Sequence, residues 1–288
     1  IALKYARKYP GMITITRNRS NFGVDADIIN CQLNARGKYF ILLCSDDVLM
    51  PEYIERCVLA LESYPSAGFV IAHRTIIDEH GRRTEEPSYY NQSCVIPGPE
   101  QAVVFMMEAV NPSVSQVMYR KMMTYGKNQQ GKCGTRILNF SMCLDFPVVY
   151  IKEPLLMHRL HAHSHDDSFG TDDDLFEVII SYVLQHQLAE IASHYKLTNV
   201  IDYLPQSLVS LGKKCLLYCV RSLNENDEEG ALRYFNLSVV ISPNVTSDVR
   251  FKKLQEYWHS DTSEKFKIIE SLGSTDNLTI RNVSYDPP

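Results

Sequence analysis

Apolar and polar positions along this chain fall into short blocks up to about residue 72, and into long helical stretches after residue 175. Residues 2–9 have the spacing of an amphipathic helix stopped by Pro10-Gly11. Met12 to Thr16 alternates apolar and β-branched residues, which predicts a short strand. A polar loop from Arg17 to Gly23 precedes a helical pattern with apolar residues at 24, 28, 29, 31 and 33, closed by Arg36-Gly37. The apolar run from Tyr39 to Cys44 then reads as a buried strand of a parallel sheet. It ends at two adjacent carboxylates, Asp46 and Asp47, before Pro51 opens a helix running to Glu62. Ala67 to Ala72 is a further buried strand, so strands alternate with helices in the pattern of a parallel sheet.

Residues 78–100 are polar and turn-rich, a long loop of the kind that serves as a lid or insertion. Glu100 to Ala109 predicts a helix, Ser113 to Tyr119 a strand, and 124–134 a loop rich in Gly, Lys and Gln. Ile137 to Leu144 predicts a buried helix, and Val148 to Ile151 a strand leading into Glu153-Pro154. A His-rich segment, His158 to His165, and an acidic linker reaching Asp174 follow. Leu175–Tyr195, Leu204–Leu223 and Glu228–Ile241 then read as successive amphipathic helices. The stretch from Ala231 to Pro243 has the cadence of one half of a helical hairpin, but one unit does not make a repeat array.

Composition narrows this picture. With 45% hydrophobic and 22% charged residues in 288, the chain can bury a substantial core and is not a disordered one. A net charge of -5 gives no reason to expect nucleic acid as a partner. Eight cysteines show no C-x-x-C pair and mostly sit in apolar runs, which favours reduced thiols and a cytoplasmic setting. No apolar run approaches the roughly 20 residues of a membrane span, which leaves peripheral membrane contact open. The sequence starts within a helical pattern and without Met, so a preceding segment is expected.

Chemistry concentrates at Asp46-Asp47. Two acids between a strand and a helix are either an Asx-turn or N-cap pair, or a divalent cation site of one or two carboxylates. Placement at a strand's carboxyl end, where open α/β sheets bind ligands, favours the second. The histidines at 158, 161, 163 and 165 match no zinc spacing. A solvated loop with one histidine serving the crevice accounts for them better than a separate metal site. No P-loop, G-x-G-x-x-G or G-x-S-x-G is present.

Several pieces in order then carry a resemblance. Arg17-Asn18, Asn21-Phe-Gly23, Asn30, Ala35 and Gly37-Lys-Tyr39 lead into Leu42-Leu-Cys-Ser-Asp-Asp-Val-Leu-Met-Pro51. Later come Tyr150-Ile-Lys-Glu-Pro-Leu-Leu156 and Arg159-Leu-His161. Together these resemble glycosyltransferase family 2, the nucleotide-sugar transferases of GT-A fold. The resemblance implies an α/β, Rossmann-related mixed sheet with flanking helices over residues 1–168, followed by a helical region over 169–288. It implies transfer of a sugar from a nucleotide-diphosphate donor, with inversion, to a glycan, lipid-linked or protein acceptor. It places Mg²⁺ or Mn²⁺ on Asp46, the last position of D-x-D, with Asp47 orienting the site, and sets Arg159 and His161 beside the donor diphosphate.

Three departures accompany it. Cys44 occupies the first D-x-D position. Cys133 to Ile137, where the family's catalytic base is expected, has no acid, and Asp145 falls at the wrong end of the adjoining helix, so no base is assigned. The family's first two strands have no counterpart in this sequence, which would leave the Tyr39–Cys44 strand with an unpaired edge. The lost acids keep open a non-catalytic scaffold that binds a sugar, glycan or protein, or a helical interaction module carried on the α/β part.

Overall fold

The computed structural model describes residues 1–124, 134–160, 173–272 and 284–288. Its first part holds α1 (Ala2–Lys8), α2 (Val24–Asn34), β1 (Tyr39–Ile41), β2 (Val48–Leu49), α3 (Tyr53–Ser63) and β3 (Phe69–Ile77). Then come β4 (Arg83–Thr84), β5 (Cys94–Ile96), α4 (Gly98–Met106), β6 (Val117–Arg120), α5 (Gly134–Cys143) and β7 (Val148–Arg159). The helical part comprises α6 (Asp173–His194), α7 (Thr198–Ile201), α8 (Leu204–Asn224), α9 (Glu228–Ile241), α10 (Val249–His259) and α11 (Thr262–Leu272).

One mixed sheet runs in the order β1-β6-β3-β7-β2, with β4 against β3 and β5 against β7. Among the described strands only β3 and β7 pair in parallel, from Phe69 opposite Val148 to Ile77 opposite Arg159. The focal strand differs from the sequence expectation in two ways. It is three residues long, and it lies at the sheet's end antiparallel to β6, with Tyr39 opposite Arg120. Phe40 stacks on Tyr119 across that pairing, at 5.1 Å between ring centres, so aromatic contact holds the short strand in place.

Alternation along the strands divides the core between two faces. Phe69, Ile71, Tyr119, Val148 and Tyr150 turn towards α4, α5 and the second half of α6. Val70, Ala72, Met118, Val149 and Ile151 turn towards α3, which contributes Tyr53, Cys57 and Leu61, all fully buried. Arg120 ties the α3 face together. Its guanidinium donates to the carbonyls of Leu61 (2.7 Å) and Ala67 (3.1 Å) and to the Tyr39 hydroxyl (3.1 Å). A buried cation is tolerated there because acceptors surround it.

Met12 to Thr16 does not form the expected strand. Residues 10–23 are exposed throughout and have no strand partner among the described residues, and β-propensity without a ladder to join does not make a strand. The stretch 78–100 is less of a loop than its composition implies. Besides β4 and β5 it buries Tyr89 and Tyr90, with the Tyr89 amide donating to the Tyr150 hydroxyl (2.9 Å) and the Tyr90 hydroxyl donating to Gln101 (2.7 Å).

The long helices fall where their periodicity puts them. Val178 of α6 joins a second core built by α8, α9 and α10, whereas Leu184, Leu188 and Ala192 of the same helix enter the core of the sheet. The last described residues return to the α/β part: Tyr285 pairs with Tyr90 as a parallel bridge, accepting from the Asn91 amide (2.8 Å) and donating to the Tyr89 carbonyl (2.9 Å). No helix among the described residues is long and apolar enough to cross a membrane.

Candidate functional site

The two carboxylates are delivered by a strand too short to show any period. Beside β7, Val48 stands opposite Met157 and Leu49 opposite Leu156. Carried one step back, that antiparallel register sets Asp47 against His158 and Asp46 against Arg159. The hydrogen bonds follow it. Asp47 Oδ1 accepts from His158 Nδ1 at 2.9 Å and from the Arg159 amide at 3.0 Å. Arg159 Nε donates to the Asp46 carbonyl (3.1 Å), and its Nη1 donates to the Asp78 carbonyl at the end of β3 (2.7 Å). One arginine thus fastens the acidic loop to the carboxyl ends of the two parallel strands.

Neither acid caps the following helix. Glu52 holds the N-cap position of α3 without a side-chain bond, so the capping reading of the pair does not describe this loop. The Asp47 side chain is only 1% exposed, against 13% for His158. Burial alone would raise the Asp47 pKa, but the bonds from His158 and the Arg159 amide, with help from the nearby Ser115 hydroxyl, hold it below the usual carboxylate value. Ser115 is close enough to favour the anion, yet Asp47 Oδ2 is buried with no hydrogen-bond partner. A buried carboxylate oxygen left this way is costly unless a cation or water completes it.

Ser115 also organises the other side of the loop. It is fully buried in a 3-10 turn, Val114–Gln116, braced by the Ser113 amide donating to Gln116 Oε1 (2.8 Å). Its hydroxyl accepts from the Cys44 amide (3.0 Å), and its carbonyl accepts from the Tyr53 hydroxyl (3.2 Å). The result is a cluster in which one ligand-type atom each from Cys44, Asp46 and Asp47 lies within 4.8 Å of the others. Cys44 is exposed, Asp46 half-buried and Asp47 buried, so the cluster opens to solvent on one side. Carboxylates in this arrangement fit a divalent cation, and the orphaned Asp47 oxygen is the observation that favours one.

Of the residues expected at the site, Asp46, Asp47 and Arg159 come together; His161 lies outside the described residues, as do His163, His165 and Cys133. Among the described residues, the histidine that reaches the crevice is His158. Ser115 was missed, and the only sequence signal for it is the Ser113-x-x-Gln116 spacing that sets its turn. The first turn of α5 carries no acid. Glu108 faces Arg136 of that turn at 3.6 Å, beside Asn111 and Asn139.

The sequence model described as glycosyl transferase family 2 matches residues 1–125, a span that holds Cys44, Asp46, Asp47 and Ser115 but stops short of β7. No curated protein matches the chain. Among solved structures, TarS of S. aureus (residues 1–349) is similar with a TM-score of 0.45 and 10% identity, over 80% of this chain and 75% of that one. Over residues 1–125, then, the chain resembles glycosyl transferase family 2.

Proposed function

We propose that this chain serves a metal-dependent, inverting glycosyltransferase that takes its sugar from a nucleotide-diphosphate donor. The observation that carries the reading is the buried Asp47, tied to His158 and Arg159 and bearing one unpartnered oxygen in a cluster with Asp46. In this reading Asp46 and Asp47 hold Mg²⁺ or Mn²⁺. When bound, the cation neutralises charge developing on the departing diphosphate.

The protein's own part is to keep the acids in place before the donor arrives. Arg159 fixes the Asp46 carbonyl and brings positive charge to the rim of the crevice, where the resemblance sets the diphosphate. His158 holds the Asp47 carboxylate in one orientation, and Ser115 anchors the backbone at Cys44. His161 retains the diphosphate-side role that its place in Arg159-Leu-His161 implies. The acceptor is a glycan, a lipid-linked sugar or a protein. The scattered cysteines, without a C-x-x-C pair, support a reducing, cytoplasmic setting, with 1–168 as the transferase unit and 169–288 as its helical companion.

A second reading has an observation of its own. Residues 134–137 offer no carboxylate to take a proton from an acceptor, and Glu108 nearby is held by Arg136. That favours a scaffold that binds donor or glycan without turnover. Calorimetry with UDP, GDP and dTDP, with and without Mn²⁺, is the test of binding. The expected outcome is Mn²⁺-dependent affinity for one nucleotide, weakened at least about tenfold in D46A. Failure of all three to bind with or without metal overturns the enzyme reading, whereas binding without hydrolysis or transfer of the matching sugar favours the scaffold.

A further inference from the structure

The loop after β1 brings a thiol, not a third carboxylate, to the acidic cluster. Cys44 Sγ lies within 4.8 Å of ligand oxygens of both Asp46 and Asp47. Its backbone is fixed, because the Cys44 amide donates to the hydroxyl of the fully buried Ser115 at 3.0 Å. Sulfur and oxygen ligands bonded to one zinc-sized ion, at about 2.3 and 2.0–2.2 Å, stand at most about 4.5 Å apart. Modest side-chain rotations therefore close this cluster on a cation. A second observation points the same way: Asp47, with its side chain 1% exposed, keeps Oδ2 without a hydrogen-bond partner.

We propose that Cys44 ligates the cation together with Asp46 and Asp47, and that this sulfur makes the site select thiophilic divalent cations, such as zinc, cobalt or cadmium, over magnesium. The proposal rests on the metal-dependent reading above and adds to it the class of metal. Magnesium demands near-ideal octahedral oxygen ligands, and a sulfur donor spoils that shell. Zinc and its soft neighbours gain from thiolate, and first-row affinities for a given site rise steeply from manganese to zinc. On binding, the thiol proton leaves to solvent and a sulfur–metal bond takes its place. The exposed position of Cys44 lets the ion enter from solvent without opening the fold.

Cobalt(II) titration of the full chain reads the sulfur directly, through a thiolate-to-cobalt charge-transfer band in the near ultraviolet. The band should appear in the wild type, persist in C31S, which removes the other fully exposed described thiol, and vanish in C44S. Competition should restore the baseline with zinc or cadmium and not with millimolar magnesium. C44S should bind cadmium at least about tenfold more weakly while its manganese affinity changes little, and C44D should shift preference towards magnesium and manganese. Circular dichroism of C44S checks that the fold survives. Cobalt binding without the band, or a band that survives in C44S, overturns the role of Cys44 and leaves the metal-dependent reading standing. Absence of binding by any divalent cation, with or without nucleotide, overturns both.

Discussion

Replacing Asp47 by Ala should cost this protein stability even with no metal present. The carboxylate accepts from His158 Nδ1 at 2.9 Å and from the Arg159 amide at 3.0 Å, and its side chain is only 1% exposed. Hydrogen bonds to charged groups contribute about 1.5–3 kcal/mol each, and breaking a buried pair costs roughly 3–5 kcal/mol. We expect a loss of about 4 kcal/mol for D47A. D47N keeps an oxygen that can accept one of the bonds and should lose about half as much. With a urea m-value near about 3 kcal/mol/M, the D47A midpoint should fall by more than about 1 M at unchanged slope. The measurement belongs in EDTA, so that no cation contributes, and is followed by far-UV circular dichroism. Fluorescence of the single tryptophan, Trp258, is unsuitable because that residue packs against the second, helical core.

The pH dependence gives an internal check. Because the folded Asp47 pKa lies below its ordinary value of 3.8, its contribution is fully present above that value. It is lost only as pH falls through the folded pKa. The gap between wild type and D47A should therefore hold from neutral pH down to about pH 4 and narrow in stronger acid. A gap under about 1 kcal/mol at pH 7, or one that widens as pH falls, refutes the structural role assigned to the pair.

Three more outcomes follow from the packing. R120A leaves the Leu61 and Ala67 carbonyls without their donor and should lose about 3 kcal/mol in denaturant unfolding, with R120K recovering only part. A methyl group on Gly98 would meet the Cys143 carbonyl oxygen at 1.9 Å and that of Phe146 at 2.5 Å, so G98A should lower Tm by an amount matching about 2–3 kcal/mol. Native-state alkylation read by mass spectrometry should modify Cys31 and Cys44 quickly. It should spare Cys57, Cys215 and Cys219, whose thiols burial pushes up to about 12.

Much of this architecture is legible in residue order because helical spacing is a local signal. The stretches 175–195, 204–223 and 228–241 emerge as α6, α8 and α9 almost as written. Sheet partners are a different matter. The apolar run at Tyr39 shows that a strand is buried, but not that it meets β6 in antiparallel fashion 80 residues away. Met12 to Thr16 carries the right residue types and finds no strand neighbour among the described residues, so a sound propensity yields exposed chain. The site shows the same division. Asp46 and Asp47 stand out by their position after the strand, whereas the Asp47–His158 contact, 111 positions apart, depends on the register of a two-residue strand. Ser115 shows in the sequence only through the Ser113-x-x-Gln116 spacing of its turn, because its role lies in what that turn places beside Cys44.

The pairing of Tyr285 with Tyr89 and Asn91 has a kinetic consequence. Ser88 and Ser284, whose hydroxyls meet at 3.0 Å, are 196 residues apart in the chain. Closing a loop of that length in the unfolded ensemble costs about 5 kcal/mol of entropy, more than a few exposed hydrogen bonds return. This contact therefore cannot nucleate folding, and it forms only after the cores have brought its two halves near. Substitutions in the Ser284–Asp286 segment should accordingly leave the refolding limb of a chevron unchanged and appear wholly in the unfolding rate.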